Sequence, residues 1–120
     1  MIKRPLNARF SPKVLDGTKF TTIRSKPWPV YKDIMLYNWS GAAYRSKQID
    51  VCAVMVESEN EIIITNVEGI VTFTPDEVDG IPLHVTEGFD SASELQAWFE
   101  NLVKPGQTVV RHLMRFKKLS

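Results

Sequence analysis

The sequence holds one cysteine and two histidines in 120 residues, and each shortage excludes a class of chemistry. A lone thiol forms no internal disulfide. Cys52 sits in the apolar run Val51-Cys52-Ala53-Val54-Met55-Val56, the setting of a buried, inert thiol. His84 and His112 stand far apart with no Cys or His at ligand spacing, so neither a metal nor a cofactor is expected. No apolar stretch reaches the length of a membrane span, and Met1-Ile2-Lys3-Arg4-Pro5 lacks the apolar run of a signal peptide. A cytoplasmic protein that engages no membrane is the expectation. The length suits one domain over residues 1–120 with one modest core.

Lysine and arginine are missing from residues 49–103, which carry twelve acids. Residues 1–48 hold ten Lys/Arg against two acids, and the tail from 104 adds five more cations with no acid. The net charge of +1 therefore hides strong segregation. If the two basic segments lie side by side they build a face suited to a phosphate-bearing partner. If the segments alternate across a sheet, they neutralise one another.

Helical periodicity is scarce. Ser11-Pro12 caps a turn that Gly17 stops, and residues 5–10 read as an edge or irregular strand. Strands are expected over 18–24, 33–39, 47–57, 61–66, 67–73 and 108–119, with Ser58-Glu59-Asn60 as a hairpin turn and Gly69 as a bulge. Thr74-Pro75-Asp76-Glu77 has the form of a capping box opening a one-turn helix that ends at Gly80. Ser91-Ala92-Ser93-Glu94 is a second capping box. It opens the one sustained helix, where Leu95, Trp98, Phe99 and Leu102 fall on a single core-facing stripe. Five or six strands with so few helices point to an α+β fold, a curled sheet closing into a small barrel with the helix at one end.

The chemistry concentrates in Gly17-Thr18-Lys19-Phe20-Thr21-Thr22-Ile23-Arg24. Lysine supplies a base, threonine a nucleophile and arginine an anion clamp, although a solvated strand has the same composition. Trp39 and Tyr44 offer stacking surfaces, and Arg45, Lys47, Lys26 and Lys32 offer cations for phosphates, a combination suited to single-stranded RNA. Trp39 as core, with the cations as a solvated rim, accounts for the same residues. Trp28, between two prolines, reads as a lid, and His112 as a satisfied strand histidine.

Three stretches, in order, resemble an ASCH domain, a PUA-like β-barrel family associated with RNA. Gly17-Thr18-Lys19 leading to Thr22-Ile23-Arg24 matches the pattern Gly-x-Lys-x-x-Thr-x-Arg. The segment Trp39-Ser40-Gly41-Ala42-Ala43-Tyr44-Arg45-Ser46-Lys47-Gln48 is similar to one in phage-associated members. Glu87-Gly88-Phe89 with the later Trp98-Phe99 is similar to the family's C-terminal pattern. One branch of that family removes the acetyl group from N(4)-acetylcytidine. The resemblance then implies Lys19, Thr22 and Glu87 as the catalytic set of an amidohydrolase, with Arg24, Trp39, Tyr44, Arg45 and Lys47 binding RNA or a modified nucleoside. Other members bind RNA without chemistry or are linked to ribonuclease activity, so those two readings stand beside it.

Regular strand alternation sends Lys19 and Thr22 to opposite faces. The catalytic set therefore requires Lys19 to precede the strand, on the loop that Gly17 permits.

Overall fold

Strands make up nearly half of this protein, which the computed structural model describes over residues 1–119. The strands are β1 (Ile2–Pro5), β2 (Thr21–Arg24), β3 (Asp33–Trp39), β4 (Gln48–Val67), β5 (Ile70–Thr74), β6 (Glu77–Val78), β7 (Ile81–Pro82) and β8 (Thr108–Lys118). Three short helices, α1 (Ser11–Leu15), α2 (Leu83–Glu87) and α3 (Ala92–Phe99), and a 3-10 turn at Ala8–Phe10 complete an α+β fold. The main sheet has six strands in the order β1-β3-β4-β8-β2, with β5 on β4, and β6 and β7 form a separate hairpin. It is mixed, because β1 runs parallel to β3 while the other ladders are antiparallel.

The 20-residue β4 shapes the sheet. Its first part pairs with β3, its last part with β5, and β8 runs along it from Val54 to Thr65 with a register shift between Val56 and Ser58. The expected turn at Ser58-Glu59-Asn60 is absent: those residues pair with Arg115, Met114 and Leu113 of β8. Their polarity is matched across the ladder, where Glu57 meets Arg115 at 3.2 Å and Glu59 hydrogen-bonds His112.

The core side chains are Ile34 and Leu36 of β3, Val54, Val56, Ile62 and Ile64 of β4, and Met114 and Phe116 of β8, with Val14, Leu83, Leu95 and Phe99 packed on them from the helices. The sheet curls, but its ladder does not close into the expected barrel. β1 and β2 remain its two ends, bridged by the Arg24 guanidinium, whose Nη2 donates to Pro5 O at 3.0 Å. In an extended strand the nitrogen and carbonyl of one residue face the same side. Pro5 therefore turns toward β2 a nitrogen with no proton to give.

Two turns replace expected features. Glu68 (φ 53°) and Gly69 (φ 88°) form the tight hairpin between β4 and β5 rather than a bulge. Asp79 (φ 53°) and Gly80 (φ 77°) do the same between β6 and β7, so Glu77 begins a strand instead of a helical turn. The Ser91 cap stands as expected, its Oγ accepting from Glu94 N at 3.2 Å. Trp98, expected in the core, is 47% exposed, because α3 ends at Phe99 and rests on the sheet through Leu95 and Phe99. Among the described residues no helix is long and apolar enough to cross a membrane.

Candidate active site

Lys19 lies on the irregular segment between α1 and β2, outside the strand alternation. Its backbone N–H donates to Lys13 O at 2.9 Å, and the neighbouring Phe20 N–H donates to Thr86 O at 3.1 Å, which fastens the segment to α2. Gly88 follows α2 at φ 94°, in the left-handed conformation that suits a residue without Cβ. A Cβ there would stand 3.0 Å from both Lys19 Cδ and Phe10 Cδ1, so glycine also makes room for the lysine stem.

That stem leads the amine into the protein. Lys19 is 4% exposed, and its Nζ donates to the carbonyls of Thr21 at 2.6 Å and Glu87 at 2.7 Å. Glu87 is equally buried, and its Oε1 stands 4.0 Å from the amine, beyond hydrogen-bond reach. The other carboxylate oxygen, Oε2, accepts from the Thr21 hydroxyl at 2.6 Å. Thr21 Oγ1 also lies 2.9 Å from Thr86 Oγ1, which reaches Leu83 O at 3.1 Å. The carboxylate is held by the Thr21 hydroxyl, and the amine by main-chain carbonyls.

A cavity of about 60 Å³ opens beside this network, walled by Lys19, Thr22, Arg24, Glu87 and a set of aromatic side chains. The four site residues taken from the first and third motifs thus share one cavity, although 65 positions separate Glu87 from Thr22. Thr22, whose hydroxyl makes no side-chain hydrogen bond among the described residues, lines the cavity. Arg24 stacks over Trp28 at 5.2 Å, and its buried Nε has no partner. An orphaned buried donor costs about 1–3 kcal/mol.

Burial lowers the Lys19 pKa from 10.5 to about 8, the Glu87 carboxylate opposing that fall and Arg24 reinforcing it. Burial also lowers the pKa of Arg24, again opposed by Glu87. A guanidinium nonetheless keeps its charge in proteins, so Lys19 is the group that exchanges a proton near neutral pH.

The other expected binding residues lie elsewhere. Trp39, Tyr44, Arg45 and Lys47 gather at the β3–β4 connection and do not line the cavity. Tyr44, 86% exposed, packs on Trp39 at a centroid distance of 5.3 Å, and Trp39 packs on Tyr37 at 5.3 Å. Asn38 joins this tip to the cavity wall, because its Nδ2 donates to Leu6 O at 2.8 Å and its Oδ1 accepts from Ser11 Oγ at 2.9 Å. Trp28 is buried beneath Arg24, as a lid over the core would be.

The segregated charges cancel in part across segments. Acids from residues 49–103 pair with Lys3, Arg9, Lys13 and Arg115. Among the described residues no group of three or more His, Cys, Asp or Glu is placed to hold a metal ion.

Thr21 and Thr86 were not singled out from the sequence as site residues. Thr21 is one of two adjacent threonines, and only the packing of α2 shows which one meets Glu87. Comparison with family models, curated proteins and solved structures gave no match.

Proposed function

We propose that this chain is an ASCH-type domain with a curled PUA-like sheet, and that its cavity hydrolyses an acyl group from a nucleobase amine, with N(4)-acetylcytidine as the representative substrate. The observation that carries this reading is the state of Lys19: a buried amine near pKa 8 whose two carbonyl partners accept two N–H bonds. A neutral amine has two N–H groups, so both are satisfied and the lone pair is left to accept a proton.

In this reading neutral Lys19 takes the proton of the Thr22 hydroxyl as Thr22 Oγ1 attacks the acyl carbon. The Arg24 guanidinium, part of the cavity wall, stabilises the oxyanion. The Lys19 ammonium then returns its proton to the departing base nitrogen as the C–N bond breaks. Glu87, 4.0 Å from the amine, balances the transient charge on Lys19. Water, deprotonated by Lys19, releases the acyl group from Thr22 as a carboxylic acid. The cavity's size agrees with an acyl group, being several times the roughly 10–15 Å³ that admits one water.

A second reading, a non-catalytic RNA-binding module, is favoured by one observation: the exposed Tyr44 ring on Trp39 beside Arg45 and Lys47. The test is incubation of the protein with N(4)-acetylcytidine and, separately, with a short single-stranded RNA. Release of acetate and cytidine that is lost in Lys19→Ala and Thr22→Val supports the hydrolase. Salt-sensitive RNA binding without turnover replaces it with the module, and RNA cleavage replaces it with a nuclease.

A further inference from the structure

The cavity that holds Lys19 is too small for the whole of the substrate class just proposed. An apolar cavity of about 150 Å³ is what benzene occupies, against about 60 Å³ here, so an acyl group fits inside while a six-membered ring stays at the mouth. The mouth is defined by exposure. Of the residues in the cavity wall, Asn7 and Trp98 are exposed and Arg24 is intermediate, whereas Lys19, Thr22 and Glu87 are buried.

Trp98 has the features of a stacking platform. Its indole is held from behind by edge-on contacts with Phe10 at 5.6 Å and Phe89 at 5.4 Å, and nearly half of the residue remains in solvent. The Arg9 guanidinium lies over the indole, 5.9 Å from its ring centroid, and is fixed by Glu94 at 2.5 Å. A large aromatic ring held still and left wet at a cavity mouth is suited to cover a planar ligand.

Asn7 supplies direction. Its Oδ1 caps the 3-10 turn by accepting from Arg9 N at 3.0 Å, which fixes the orientation of the amide. Its Nδ2 makes no hydrogen bond within the protein among the described residues, so two donors stand at the mouth. Donors select an acceptor edge, such as the ring nitrogen and carbonyl oxygen of a cytosine acylated on its amine.

We propose that Trp98 and Asn7 form the binding site for the heteroaromatic half of the substrate, a pyrimidine ring stacked on the indole with its acceptor edge toward the Asn7 amide. This rests on the hydrolase reading for the orientation of the acyl group, but not for the binding itself.

Cytidine, the deacylated product, is the probe, because its binding needs no turnover. Calorimetric titration of the wild-type chain is expected to show binding, and Trp98→Leu to weaken it by about 5- to 100-fold. Asn7→Asp keeps the turn's cap while replacing donors with a carboxylate, and is expected to weaken cytidine by about tenfold or more. In the wild type the Trp98 indole N–H resonance should shift on titration while that of Trp28 does not. With N(4)-acetylcytidine, Trp98→Leu should raise KM and leave kcat nearly unchanged. Cytidine binding that depends on Trp98 without acetate release would uphold this inference and remove the hydrolase reading. Acetate release with KM unmoved by Trp98→Leu, or no cytidine binding by the wild type, would overturn it.

Discussion

Replacing Glu87 by glutamine removes one charge from the site while keeping its volume and an oxygen for the Thr21 hydroxyl. The carboxylate stands 4.0 Å from the Lys19 amine and is the force holding the lysine pKa up against burial. At that distance a unit charge is worth about 1 kcal/mol in water and about 4 kcal/mol at an effective dielectric constant of about 20. At about 1.4 kcal/mol per pH unit, the Lys19 pKa should fall by about one to three units from its value near 8. At pH 7.5 the neutral amine would rise from about a quarter of the molecules to about three-quarters or more. The assay is NMR titration of lysine labelled with carbon-13 at Cε, with Lys19→Met used to assign the resonance. A Lys19 pKa that is unchanged or raised in Glu87→Gln would refute the electrostatic coupling on which the site's chemistry rests.

Thr21→Val removes the hydroxyl that holds Glu87 Oε2, so the carboxylate is free to close on the amine. The same titration should show the Lys19 pKa moving upward from about 8, and urea unfolding a loss of about 1–3 kcal/mol. Gly88→Ala places a Cβ 3.0 Å from Lys19 Cδ at a backbone φ of 94°. It should cost about 1–3 kcal/mol in urea unfolding and displace the lysine, read as a shifted Lys19 resonance. Between pH 8 and 10.5 the folded chain has released a proton that the unfolded chain retains, so the unfolded state binds more protons there and stability rises with pH. The Lys19 contribution is absent below pH 8 and amounts to about 3 kcal/mol above pH 10.5, so Lys19→Met should lose that rise when unfolding free energies are compared across the window.

What was legible in the sequence was local. β3 carries a clean alternation and forms where the pattern puts it; the capping box at Ser91 opens α3 as expected, but the helix ends at Phe99, short of Leu102. The middle of β4 was not legible, because Glu57 and Glu59 find their partners Arg115 and His112 more than 50 residues away, and a polar triplet without visible partners reads as a turn. Asp79-Gly80 carries the strongest short hairpin signal, yet the Thr-Pro-Asp-Glu run before it reads equally as a helix cap. In the site, Lys19, Thr22, Arg24 and Glu87 were nameable from motif order, and their meeting follows from α2 packing against the segment that enters β2. The choice of Thr21 as the partner of Glu87, and the exposure of Trp98, depend on that packing and on where α3 ends. Helical spacing alone places Trp98 with Leu95 in the core.

The most direct test of the proposed activity is the pH dependence of kcat/KM for acetate release from N(4)-acetylcytidine. A lysine base predicts a rise with pH through an apparent pKa near 8, moved downward in Glu87→Gln and abolished in Lys19→Met. No release by the wild-type chain, or an unaltered profile in Lys19→Met, would contradict it.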